Sequence, residues 1–210
     1  MKKIIVCFGW LLLVLNSNAQ RGEVKELGFK KQNVFIGGSL TLGYGNVSNS
    51  YGGGSNFVIG ANPEIGYSLA EWIDVGTVFN IIYSSTRFND YTYRYRQTGL
   101  NTGVGAFIRL YPIPSFFLLA QPEHNWIKVT QTNLDQPGVP KITQKVQASS
   151  FLVGVGYGQR IIGSSSFFTT IMFDLGKEIY SPYRDGFNNA IPIVRTGFNW
   201  YLNSAKKKKK

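Results

Sequence analysis

Residues 100–111 read Leu-Asn-Thr-Gly-Val-Gly-Ala-Phe-Ile-Arg-Leu-Tyr. Leu100, Thr102, Val104, Ala106, Ile108 and Leu110 fall on one side of an extended chain. Asn101, Gly103, Gly105, Phe107, Arg109 and Tyr111 fall on the other. Side chains of a strand alternate between two faces, whereas a helix would scatter these sets around its axis. One face is apolar and the other is mostly small or polar, so the segment is a strand with two chemically different sides.

The same parity recurs outward from there. Val34, Ile36, Leu40, Leu42 and Tyr44 oppose Phe35, Gly37, Ser39, Thr41 and Gly43. Phe57, Ile59, Ala61, Ile65 and Tyr67 oppose Gly60, Asn62, Glu64, Gly66 and Ser68. Val75, Thr77, Phe79, Ile81 and Tyr83 oppose Asp74, Gly76 and Asn80. Further strands are predicted over 116–127, 147–158, 167–177 and 191–202. Each segment is roughly ten residues, the length of a tilted membrane strand. The connections alternate. Those over 45–56, 84–97, 128–145 and 178–190 are long, and those over 69–72, 112–115 and 161–166 are short. The pattern predicts an all-β, eight-stranded, antiparallel, up-and-down transmembrane β-barrel, with both termini at the short-turn, periplasmic end. Pro63, Pro122 and Pro192 fall inside predicted strands and predict bulges or shifted boundaries, strand five above all.

Composition agrees. Charged residues are 16% and aromatics 15%, with 24 glycines and 12 tyrosines, a mix that favours short strands and turns. The lone Cys7 rules out a disulfide framework. The net charge of +11 includes Lys2, Lys3 and Lys206 to Lys210; without those seven it is +4, spread thinly, which argues against a nucleic-acid partner.

Residues 1–20 read MKKIIVCFGWLLLVLNSNAQ, the charged, apolar, small-residue order of a signal peptide cleaved after Ala19. The expected organisation is a signal peptide over 1–19, a periplasmic segment over 20–32, the barrel over 33–202 and a lysine-rich tail over 203–210. The polar face holds mainly Gly, Ser, Thr and Asn, as a hydrated interior would, and the apolar face suits lipid. Tyr44, Tyr67, Trp72, Tyr83, Trp126, Tyr157 and Trp200 lie near predicted strand ends and form a candidate aromatic girdle at the membrane boundary.

The ionisable residues within the strands share the inward parity. Glu64, Asp74, Arg109, Glu123, Asp174 and Arg195 form a candidate interior charge network, since in lipid they would be costly. An eight-stranded interior is just wide enough for side chains to fill, which favours a salt-bridged plug over a conduit. Glu64, Asp74 and Arg109 are expected to cluster near the periplasmic end. Tyr91, Tyr93, Arg94, Tyr95 and Arg96 form a candidate contact with a surface or with lipopolysaccharide phosphates, unless strands three and four simply project there. His124 is the only histidine, with Trp126 two positions on where the lipid A deacylase family has a serine; it reads as a boundary residue. No Gly-x-Ser-x-Gly, His-Glu-x-x-His or phosphate loop occurs, so no enzyme, metal or cofactor is expected.

The leader, the inward glycines, the segment Gly103-Val-Gly-Ala-Phe-Ile-Arg-Leu-Tyr111 and the aromatic strand Thr196-Gly-Phe-Asn-Trp-Tyr-Leu202 resemble the outer-membrane β-barrel domain family common in Bacteroidetes. The architecture resembles the OmpX and OmpA barrels. The resemblance implies a location in the Gram-negative outer membrane and a fold, and no substrate. The expected function is non-enzymatic, envelope-structural or surface-binding through the loops, with a narrow channel as the alternative and a membrane-embedded enzyme or a soluble ligand-binding barrel as weaker ones. The expected partners are outer-membrane lipids, lipopolysaccharide, the barrel-assembly machinery and an extracellular ligand or surface met through the loops.

Overall fold

A computed structural model describes residues 30–49, 52–90, 94–136, 138–184 and 188–202. The leader and the lysine tail lie outside the described residues, as do Tyr91 and Tyr93. A short 3-10 turn, Lys31–Asn33, leads into β1 (Val34–Asn49), β2 (Gly52–Ala70), β3 (Ile73–Asp90), β4 (Arg94–Ile113), β5 (Phe116–Asn133), β6 (Ile142–Gly158), β7 (Ser166–Asp174) and β8 (Ile193–Tyr201). Each strand pairs antiparallel with the next, and β8 pairs with β1, closing the barrel.

The predicted strands stand, but three of the four long connections are mostly ladder. β1–β2, β3–β4 and β5–β6 pair out to Asn49↔Gly52, Asn89↔Arg94 and Gln131↔Ile142. The residues 84–97 are thus largely strand, because Thr, Tyr and Phe there suit a pleated sheet. Among the predicted long connections, 175–192 has no named strand in its described residues. β7 and β8 have 9 residues each, against 16 to 20 in the others. The wall is therefore low on that side. β1 pairs with β8 only as far as Leu40↔Thr196, leaving the edge of β1 beyond Leu40 without a strand partner.

The prolines do not make bulges. β2 pairs with β1 straight through Gly38↔Pro63, and β5 with β6 through Pro122↔Phe151. On the other side of each strand pairing lapses locally and resumes in the same register, at Glu64↔Val78 and Ile108↔Ala120. An antiparallel residue offers its N–H to one neighbour only, so proline interrupts one ladder and spares the other. Strand five is continuous, the observed irregularities lie at Ser68/Ala70 and Leu110/Ile113 beside tight turns, and Pro192 falls just outside β8.

The interior, expected as packed and hydrated, is packed with rings as well as polar groups. Its turn-end half is an aromatic and aliphatic core containing Phe35, Phe107, Phe117, Phe168, Leu152 and Met172. Each of the four rings lies directly opposite an inward glycine: Phe35↔Gly66, Phe107↔Gly76, Phe117↔Gly156 and Phe168↔Gly197. A β-carbon at any of these glycines would come under 3.0 Å from the ring. The small residues of the inner face are thus the space into which rings from the next strand fold.

Candidate functional site

The lumen holds ion pairs and amides in layers. In the turn-end half, Arg109 on β4 donates from Nη2 to Glu64 Oε2 on β2 at 2.6 Å, and both are almost fully buried. The guanidinium carbon lies 4.5, 4.7 and 5.5 Å from the ring centroids of Phe107, Phe168 and Phe117. The ring faces supply negative charge where water cannot. The Asn199 amide, oriented by these neighbours, donates to Glu64 Oε1 at 2.8 Å.

Asp74 stands opposite Arg109 in the ladder but pairs with Arg160, 2.5 Å away, in the β6–β7 connection. Arg160 also donates to Ala70 O at 2.9 Å and to Glu71 O, and its guanidinium covers the Tyr111 ring at 4.4 Å. Ser68 Oγ donates to Asp74 Oδ1 at 2.7 Å. Arg160 therefore closes the turn end. Sequence analysis missed it because turn residues carry no parity, although an arginine beside a tight turn near an inward aspartate was a usable signal.

The middle layer is an amide relay. Glu123 accepts from Gln121 Nε2 at 2.9 Å and from Asn125 Nδ2 at 3.0 Å. With its nitrogen held there, Asn125 turns Oδ1 toward β3 and β4, where it accepts from Asn80 Nδ2 (3.2 Å) and Asn101 Nδ2 (3.1 Å). Gly103 lies between Asn80 and Asn125. A β-carbon there would sit 2.5 Å from Asn125 Oδ1 and 2.6 Å from Asn80 Nδ2. The relay leaves the Asn80 and Asn101 Oδ1 atoms buried without a partner.

Above this layer the β7–β8 loop folds into the lumen. Asp174 Oδ2 accepts from Ser181 Oγ at 2.6 Å, and Oδ1 accepts from the N–H groups of Phe151 (2.9 Å) and Gly176 (2.8 Å). Arg184 lies 3.7 Å from Asp174 and donates to its backbone O at 3.0 Å. Tyr183, 5% exposed, accepts from Arg195 Nη2 at 3.0 Å. Of the six charges read as one network, Glu64, Asp74 and Arg109 share the turn end, while Asp174 sits under the loop. Glu123 and Arg195 take part in none of the ion pairs among the described residues; their partners are amides and a phenol.

The outer wall is apolar: Leu40, Leu42 and Phe167 are 69%, 76% and 78% exposed. Tyr44, Trp72, Tyr83, Trp126, Tyr157 and Trp200 are exposed on it, and Tyr67 is half-buried. Toward the loop end this wall turns basic. Arg87 stands directly opposite Arg96, and Lys128 opposite Lys145. The Tyr-Arg patch divides by strand parity. Tyr95 faces inward and stacks on Phe88 at 4.8 Å, whereas Arg94 and Arg96 face outward, so they do not form one surface with it. Asp135 accepts from the Arg94 backbone N–H (2.6 Å) and from its Nε (2.8 Å), which holds its carboxyl below the usual carboxylate range. His124 lies on the outer wall, edge-on to Trp126 at 4.9 Å and 3.2 Å from Ser149 Oγ. Among the described residues no three His, Cys, Asp or Glu side chains gather as a metal site.

These features define a closed, eight-stranded antiparallel barrel with an apolar wall and an ion-paired interior that is packed in its turn-end half. Several solved structures are similar to it. Ail of Yersinia pestis is 11% identical at a TM-score of 0.48, over 80% of this chain and 96% of that one. CarO2 of Acinetobacter baumannii is 11% identical at 0.45, over 80% and 98%. Neisserial surface protein A is 12% identical at 0.41, over 81% and 97%. No protein-family model and no curated protein matches the sequence.

Proposed function

We propose that the protein is a non-enzymatic, integral barrel of the Gram-negative outer membrane, exported by its leader, with its turn end in the periplasm and its loop end outside. The reading rests above all on the inversion of the two faces. Large apolar side chains cover the outside while carboxylates and arginines are buried within, the opposite of a water-soluble barrel. Closure also pairs every strand with both neighbours in the turn-end half of the wall, apart from the local lapses beside Pro63 and Pro122. The test is membrane fractionation followed by gels of heated and unheated samples. A mobility shift on heating, in the outer-membrane fraction, is expected; recovery in the soluble periplasm would overturn the reading. The filled turn-end half of the lumen favours this over a narrow channel, and planar bilayers are expected to show no steady conductance.

The basic rim supports contact with lipid or lipopolysaccharide phosphates. Like charges facing each other across a strand pair destabilise it by roughly 0.2–1 kcal/mol, and Arg87, Arg96, Lys128 and Lys145 have no carboxylate among the described ion pairs. An anion held between them removes that cost. The Arg87→Ala, Arg96→Ala variant is therefore expected to stabilise the barrel in neutral detergent and destabilise it in vesicles containing lipopolysaccharide. The same direction of change in both would refute the contact.

A further inference from the structure

Above the amide relay the lumen is not filled. A cavity of about 560 Å³ lies between the open sheet of β1–β5 and the inward-folded β7–β8 loop. Its inward lining carries an apolar strip, Val58, Ile82, Ile127, Val129 and Ile193, beside polar residues such as Thr41 and Ser84. The volume falls in the range of ligand pockets. Two further lining residues, Leu42 and Val194, have the outward parity and belong to the apolar wall, 76% and 56% exposed. The cavity therefore reaches the outer wall. It does so where β1 and β8 separate above Leu40↔Thr196. At its floor is Asn101, 5% exposed, whose Oδ1 has no partner because Glu123 and Asn125 commit its nitrogen.

From this geometry we infer that the cavity takes one alkyl chain of a membrane lipid, entering sideways from the bilayer between β1 and the segment Ile191–Val194. The inference rests on the outer-membrane reading above. The lateral mouth decides the source. Leu42 stands level with Ile59 and Tyr83 in the ladders, within the apolar belt, so what meets it is acyl chain. The opposite, loop-end side of the cavity is polar, with Thr86 donating to Asn56 at 3.0 Å and Gln97 beside them, a poor entry for a chain arriving from water. Once inside, the chain lies against the aliphatic residues.

The test is photo-crosslinking of the full protein in vesicles containing a phospholipid with a diazirine at the end of one acyl chain. Adducts are mapped by mass spectrometry. Adducts are expected on the inward residues Val58, Ile82 and Val129 as well as on outward Leu42 and Ile59. The Val129→Trp variant, which fills the cavity, is expected to lose at least nine-tenths of the inward adducts while keeping the outward ones; its heat-dependent gel shift reports that it is folded. A second inward position, Ile82→Phe, repeats the test should Val129→Trp fail to fold. A parallel arm supplies the diazirine on a free fatty acid from the aqueous phase. Outward adducts alone in the phospholipid arm would overturn the inference and leave the membrane reading intact. No adducts at all would overturn both. Inward adducts from the free fatty acid alone would overturn the lateral route.

Discussion

At the scale of single residues, the interior is governed by what happens to a buried charge when its partner is removed. Arg109→Met leaves the buried Glu64 carboxylate with Asn199 and without its cation, and is expected to cost about 3–5 kcal/mol. The double variant with Glu64→Met removes both charges and is expected to recover most of that loss. Urea unfolding followed by tryptophan fluorescence, in lipid vesicles, measures both; equal losses in single and double variants would show that the charge pair is not what matters. Gly103→Ala drives a methyl between Asn80 and Asn125 and breaks their 3.2 Å contact, with an expected loss of about 1–3 kcal/mol in the same assay. At the loop tip, Asp135 is held below its ordinary value by Arg94. A carboxylate with a lowered folded pKa adds stability that is present above the unfolded value, near ~3.9, and is lost as pH falls through the folded one. Amide exchange around Arg94 and Asp135 should therefore be flat from neutral pH down to about pH 4, after correction for the intrinsic rate, and rise only below it. Asp135→Asn should abolish that acid step.

At the scale of elements, the decisive asymmetry is between six long strands and two short ones. The β7–β8 loop is anchored by Asp174 through Ser181, Arg184 and two backbone N–H groups, so it stays in the lumen without a strand ladder. Ser181→Ala combined with Tyr183→Ala removes the inward anchors and is expected to speed tryptic cleavage after Arg184 by an order of magnitude or more, since cleavage there tracks local opening. An unchanged rate would mean that the loop is held by something other than these side chains. The legibility of this level was uneven. Strand parity placed every inward charge on its strand, because period two is a local property of the backbone. The inward loop was not legible, because Ser181 and Tyr183 reach their partners across 7 and 12 residues of sequence by a fold-back that no periodicity encodes. Nor did Arg94, Tyr95 and Arg96 read as two faces until the ladder Asn89↔Arg94 placed them in β4.

At the scale of the whole molecule, the lumen is closed twice, by the loop above and by rings with Arg109 and Arg160 below. Replacing 178–190 with a short Gly-Ser linker is therefore expected to leave planar bilayers without steady conductance, because Phe35, Phe107, Phe117 and Phe168 still fill the turn end. A stable open pore in that variant would show that the loop alone is the seal. The amino-acid sequence by itself determined the strand count, the antiparallel order, the side of the wall each residue faces and the burial of the charges. Those follow from alternation and connection length, which act between near neighbours. Only the tertiary structure decided which charge meets which, that glycines on one strand make room for rings on the next, and that an apolar cavity opens to the wall where β1 outruns β8. Each of these depends on the register between strands, and register is set by packing across the closed barrel.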